Sequence, residues 1–300
     1  MSVWIGITSL TQPNLTWEMI RAFTQFQLVV LIVIVYWILE TNHEGTFRWA
    51  LRSYVIGTVG SIVLAIKSGQ AIRAMQETRD ARYAATLGRA IDANMLSALI
   101  AIAFLSAIYL FARDRSLLWR AVYFIALLFL PLMMIRTGSR GGLVALAFTM
   151  LSPLLFVRQV LRRPALAALL VIAIVIASAS AGVLIEKQGI EGSVLHRLTD
   201  VGRARQALEF RMSAVRNALD AVLVWPMGTG YWSWFERTGS AIWPHNDLIF
   251  SLGVYGVPGA ILFAGFVVLL VLTVRRIPLT VEKLYARAVL TFLLVMGLNI

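Results

Sequence analysis

Cysteine is absent from all 300 residues. That excludes a disulfide framework, an iron–sulfur cluster and a thiolate zinc site, and it leaves the redox compartment unreadable. Charge is scarce, at 14% of residues against about 25% in soluble domains. Histidine occurs three times, and lysine supplies only three of the 27 basic residues. There is no HExxH, no acidic cluster at ligand spacing, no phosphate-binding P-loop and no GxSxG elbow. No resident metal or cofactor is therefore expected, and energy for any reaction would come from an activated substrate. What is abundant is apolar surface: 59% of residues are hydrophobic and the mean hydropathy is +0.80. A soluble chain could not cover that much apolar area, so an integral membrane protein is expected.

A membrane helix needs about 20 mostly apolar residues. Runs that meet this lie at 17–39, 49–67, 94–112, 117–135, 142–157, 165–185, 247–274 and 286–300. The fold class expected is all-α: a polytopic bundle of about eight spans. Its parts are spans one to six in 1–185, a large helical loop at 186–246, and spans seven and eight in 247–300. The sequence stops mid-helix at TFLLVMGLNI, so a continuation beyond residue 300 is expected. The first residues carry no basic stretch ahead of an apolar run, and do not read as a cleavable signal peptide.

Eight spans place the connections 40–48, 113–116, 158–164 and 275–285 on one side. With their flanks these short segments hold twelve basic residues, among them Arg52, Arg113, Arg162 and Arg276. The other fifteen are spread over more than twice the length. Positive charge in short loops marks the cytoplasmic side, so the 186–246 loop is predicted to face outward. The net charge of +12 is nearly all arginine. Arginine in loops suits lipid head groups or phosphate-bearing substrates rather than nucleic acid, although GC-rich coding would give the same bias.

Within the loop, residues 198–224 predict an amphipathic helix. Leu208, Met212, Val215, Leu219 and Val222 recur at spacings of three and four. Trp225 and Pro226 end it, and Gly228 and Gly230 read as a turn. Tyr231, Trp232, Trp234 and Trp243 then precede a span, where aromatic rings anchor an interface.

Three constellations could carry chemistry. His43 and His196 read as plain surface residues. His245 sits where the loop enters the seventh span, followed by Asn246 and Asp247. Two readings are open for it: a general base toward a hydroxyl, with Asp247 as rival, or an interfacial anchor. Gly256 and Gly259 fall within about 40° of its face if the helix is regular, although Pro258 should bend it. The plainer reading of these glycines is close helix packing in lipid. The second cluster is Arg136, Thr137, Gly138, Ser139, Arg140, Gly141 and Gly142 at the start of the fifth span. It is either an anion site or a tight turn with snorkelling arginines. The third is Arg203, Arg205, Arg211 and Arg216. Arg211 falls on or beside the apolar stripe, a costly place unless it meets an anion.

SRGG at Ser139–Gly142, an arginine-bearing outer loop ending PMGTGY, and HNx9GxxG at His245–Gly259 occur in that order. This pattern resembles the O-antigen ligase/polymerase family, the WaaL/Wzy-like membrane glycosyltransferases. The resemblance covers about 136–274 and is thin before it. It implies a GT-C-like bundle in the bacterial inner membrane with the large loop periplasmic. It implies transfer of a glycan from undecaprenyl diphosphate to an acceptor hydroxyl, on lipid A–core, a polysaccharide or, in some relatives, a protein serine. It implies no metal and no nucleotide. His245 would be the base that activates the acceptor hydroxyl. Arg140 and Arg211 would hold the diphosphate, with Arg136 added on charge grounds. Asn246, Ser139, Gly256 and Gly259 would support the site. A single in-line displacement would invert the anomeric centre. Two other classes stay open: a flippase or transporter of lipid-linked sugars, and a non-catalytic membrane scaffold. Transport would favour helix-breaking residues near mid-span.

Overall fold

The structure is a computed structural model that describes residues 45–64, 66–67, 85–86, 89–90, 93–137, 139–154, 201–231, 233–240, 244, 246–278 and 280–297. The spans expected at 17–39 and 165–185 lie outside the described residues, as do His43, His196 and His245. Among the described residues the elements are helices, apart from a minimal antiparallel ladder of Ala85–Thr86 (β1) with Arg89–Ala90 (β2). The helices are α1 (45–64), α2 (Ala93–Arg113), α3 (Leu117–Arg136), α4 (Arg140–Leu154), α5 (Val201–Val224), α6 (Trp234–Thr238), α7 (Asp247–Arg276) and α8 (Val281–Gly297). Three of them are long and apolar enough to cross a membrane: Asn94–Arg113, Leu117–Arg136 and Asp247–Arg276. The protein is therefore a membrane protein with at least these candidate spans, and their bounds match the apolar runs.

The chain divides into two compact units. The first joins Phe47–Val201 to Ile277–Met296, and the second is built on Gly202–Arg276. In the first, α2 is the central helix. Leu96, Ile100, Ala103, Ala107 and Leu110 are fully buried, and pack with Tyr123, Leu127 and Leu130 of α3 and Phe292 of α8. These residues form helices because long unbranched and small apolar side chains lose little freedom there. They bury against each other because α2 and α3 are apolar nearly all round and α8 adds an apolar face.

Polar groups are concentrated at the two ends of α2. At its C-terminal end Arg52 of α1 ion-pairs with Asp114, and its Nε donates to the Tyr123 hydroxyl at 3.0 Å. Tyr123 donates in turn to Asp114 at 3.2 Å, and the Ser116 N–H donates to the other carboxylate oxygen at 3.2 Å. The guanidinium lies 4.8 Å from the Trp49 ring centre and 4.6 Å from that of Trp119. Beside this knot Arg113 pairs with Glu282 of α8 at 3.0 Å, and Tyr109 donates to the same carboxylate. Burial alone would push the Asp114 carboxyl up. The hydrogen bonds from Arg52, Ser116 and Tyr123, with the Arg52 charge, outweigh it and hold that carboxyl below its usual range. Segments from three of the four connections grouped by charge thus meet at one end of this unit.

Candidate functional site

At the other end of α2 lies the SRGG turn. Ser139 is the N-cap of α4: its Oγ accepts the Gly142 N–H at 3.1 Å, and its carbonyl accepts the Leu143 N–H at 3.2 Å. The same hydroxyl donates to Asn94 Oδ1 at 2.7 Å. Thr137 closes α3, with its Oγ1 donating to the Met134 carbonyl at 2.7 Å. Both hydroxyls that the sequence offers to an anion are therefore engaged within the protein. Gly142 is explained by packing, since a Cβ there would lie 2.3 Å from Ser97 Oγ and 2.7 Å from Ser97 Cβ. Arg140 is the first residue of α4, and its side chain lies outside the described ones. Arg136 ends α3 half-buried, in the last turn, where a cation favours the helix dipole.

The second unit holds the feature that sequence reading missed. The helix α7 is broken at Gly256, whose φ of 70° and ψ of −171° belong to a region nearly restricted to glycine. Pro258, two residues on, has no N–H to give to the Val254 carbonyl. The turn after α5 makes good both defects. The Thr229 N–H donates to the Gly253 carbonyl at 3.1 Å, and the Gly230 N–H donates to the Val254 carbonyl at 3.0 Å. The Val257 N–H, released from its own helix, donates to the Pro226 carbonyl at 2.9 Å. Gly228 has a φ of 101°, and a Cβ on it would fall 2.4 Å from the Val254 carbonyl oxygen. A Cβ on Gly256 would fall 2.3 Å from the Pro226 carbonyl oxygen. Two glycines thus let two backbones touch, and the segment 226–230 replaces the helical bonds that α7 gives up.

This corrects two expectations about the glycines. The break means that the face arithmetic from His245 does not carry past residue 255. Gly256 meets a loop backbone rather than a neighbouring membrane helix. Gly259 is required by the turn below the break, where a Cβ would come within 2.3 Å of Tyr255 Cβ. Gly253 supports the ring of Trp234, which is fully buried, and a Cβ at 253 would lie 2.6 Å from its Cζ3 and 3.1 Å from Ala218 Cβ. Tyr231, Phe250 and Tyr255 complete the cluster with edge-on contacts at 6.1 and 5.9 Å.

The face of α5 also differs from the expected one. Its buried line is Ala214, Ala218 and Ala221, not the larger residues. Leu208, Met212 and Leu219 are exposed, and Val215 and Val222 are half-buried. Small side chains win because α5 approaches α6 and α7 closely enough for Ala218 to meet Gly253. Arg211 stands three residues before Ala214, at the margin of this buried line, and is half-buried. Asn246 is buried and caps α7. Its Oδ1 accepts the N–H groups of Leu248 and Ile249 at 3.0 and 3.1 Å. That oxygen is thereby committed to the start of the helix.

The chain matches no protein-family model, no curated protein and no solved structure. The site therefore rests on its own residues. Among them no cluster of three His, Cys, Asp or Glu side chains could hold a metal ion, counting the described residues. Of the sequence candidates, Arg211, Asn246, Gly256 and Gly259 belong to the second unit, and Arg136, Ser139 and Arg140 to the first. Thr229, Gly228, Gly253 and Trp234 are additions. Paired glycines at 228 and 230 and at 253 and 256, with Pro258, were the sequence signal of the turn, whereas Trp234, read from sequence as an interfacial anchor, is fully buried.

Proposed function

We propose that this chain is a glycosyltransferase of the bacterial inner membrane that moves a glycan from undecaprenyl diphosphate to an acceptor hydroxyl on the periplasmic face. The end of the first unit that carries Arg52, Arg113 and Glu282 is then cytoplasmic, and the 186–246 loop is periplasmic. The reading is supported above all by the pairing of PMGTGY with the glycine break of HNx9GxxG. The bonded residues stand 24 to 31 positions apart in sequence. In sequence they share only an order, yet three backbone hydrogen bonds join them. That turn is locked to the third helical turn of α7, the helix that His245 precedes in sequence.

The chemistry follows from the residue types. The acceptor O–H loses its proton to the His245 imidazole as its oxygen forms a bond to the anomeric carbon. The bond from that carbon to the diphosphate oxygen breaks, and the charge passes to the carrier diphosphate. Cations would stabilise that charge as it develops; the resemblance assigns Arg140 and Arg211 to it, and Arg136 is added on charge grounds. A diphosphate is a good leaving anion, so one base and a few cations suffice. The acceptor is lipid A–core, a polysaccharide end or a protein hydroxyl.

The test is glycan transfer by inserted, correctly sized variants. His245→Ala should lower the rate by roughly 10²–10⁴-fold, the range of general base catalysis. Arg211→Lys should recover little, because a point charge does not replace the planar fork. Transfer at the normal rate by His245→Ala would rule out the base. One observation favours transport as a second reading, namely the break in α7, because discontinuous spans line transporter sites. However, the carbonyls that the break frees already accept hydrogen bonds from Thr229 and Gly230. Movement of lipid-linked sugar across vesicles without glycan transfer would favour transport instead.

A further inference from the structure

The helix α5 carries three stripes. Ala214, Ala218 and Ala221 are buried. Glu209, Ser213, Arg216 and Asp220 form a polar stripe that is exposed. Between them runs a line of large apolar side chains left exposed: Leu208 is 49% exposed, Met212 39%, Leu219 48% and Leu223 84%. At 1.5 Å per residue this line is about 22 Å long. Large apolar stripes of that length are rarely left in water.

The depth of the helix indicates what covers it. The turn that follows α5 is hydrogen-bonded to Gly253, Val254 and Val257, six to ten residues into α7. That is about 9–15 Å from the start of α7, whose 30 residues would reach at most about 45 Å if the break at Gly256 left it straight. A hydrocarbon core is about 30 Å thick, so a centred α7 would leave about 7 Å outside at each end. The tethered turn then lies about 2–8 Å inside the hydrocarbon boundary. Leu223, Val224 and Met227, all more than half exposed, flank this turn and share its depth. Beyond the break, Ile261, Phe266 and Leu269 of α7 are likewise exposed apolar residues.

We propose that α5 is an interfacial helix, bedding Leu208, Met212, Leu219 and Leu223 in the acyl chains of the leaflet that α7 enters at Asp247. Helices of this kind lie in the interface plane with their apolar stripe buried about 5–10 Å and their polar stripe upward. Here the tether to α7 sets the depth at one end, and the stripe sets the roll. The four arginines of α5 outnumber Glu209 and Asp220, so attraction to anionic head groups adds to the acyl contact. The inference does not rest on glycan transfer and holds for any function of the chain.

The test uses the absence of native cysteine. Single cysteines replace Leu208, Met212, Leu219 and Leu223, and separately Ser213, Arg216 and Asp220, in the full chain. Each is spin-labelled in vesicles of phosphatidylethanolamine and phosphatidylglycerol. All seven positions are exposed, so the fold should tolerate the labels, and bimane emission at the same positions gives a second reading. Expected at the four stripe positions is a ratio of oxygen to nickel-chelate collision rates several-fold above that at the three polar positions, together with blue-shifted bimane emission quenched by brominated lipid. High chelate collision along the stripe would place it in water. Low collision with both reagents would mean that protein covers it. Either result overturns the proposal.

Discussion

Side chains join the helices of the first unit, whereas in the second the backbones themselves meet. Around α2, apolar residues interdigitate, and the polar work is done by Arg52, Asp114, Tyr123, Arg113 and Glu282 at one end. Around α7, a loop backbone inserts into a helix that has been opened by Gly256 and Pro258. The difference follows from what must be satisfied. An unbroken helix in lipid has no unpaired backbone groups, so only its side chains need partners. A broken helix exposes carbonyls, and only a close donor can replace the lost bonds. The first arrangement tolerates exchange of one apolar residue for another. The second depends on residues with no side chain at all.

That contrast orders the expected effects of mutation. Gly256→Ala should be the most damaging, because it adds a Cβ 2.3 Å from the Pro226 carbonyl oxygen at a positive φ. A loss of about 3 kcal/mol or more is expected, read as a fall in the detergent melting temperature with proteolysis between 225 and 230. Gly265→Ala, with nothing within 4 Å of the added Cβ, should be neutral or slightly stabilising in the same assay. Equal effects at the two glycines would mean that α7 does not depend on the backbone contact at Gly256.

Arg52→Ala comes next. It leaves Asp114, whose side chain is only 8% exposed, with neutral donors alone, and should cost about 3 kcal/mol. The double variant Arg52→Ala with Asp114→Ala should recover part of that, which a double-mutant cycle would measure. The same pair makes the first unit acid-sensitive. The Asp114 carboxyl is held below its usual range when folded, so its stabilisation is present at neutral pH and is lost as pH falls below about 4. Melting of the Asp114→Asn variant should therefore respond less to acid than that of the parent chain. Among the damaging changes the smallest is expected at Ser139→Ala, at about 1 kcal/mol for the lost cap of α4, seen as faster amide exchange in its first turn.

Much of the helical layout was legible because long apolar runs have one stable state in a membrane. The runs at 94–112, 117–135 and 247–274 became helices within a residue or two of those bounds. The charge grouping also carried information, since Arg52, Arg113 and Glu282 came together from separate connections. What could not be read was closeness. Hydrophobic periodicity ranks Leu208 above Ala214, but the buried face of α5 went to alanine because a short distance to α7 left room for little else. Gly228 and Gly256 looked like a turn and a packing surface because each was read within its own segment. Their reason is mutual, and a single sequence does not display the pairing. For His245, charge sidedness and motif order carry the reading, and the capped start of α7 gives it a fixed neighbour.

The most direct measurement is glycan transfer by the purified chain in vesicles, with an undecaprenyl-diphosphate oligosaccharide, a panel of acceptors and excess chelator. The account expects release of undecaprenyl diphosphate coupled to a new glycosidic bond of inverted anomeric configuration, undiminished by the chelator. Coupled transfer that stops when metal is removed, or a donor left intact with every acceptor, would contradict it.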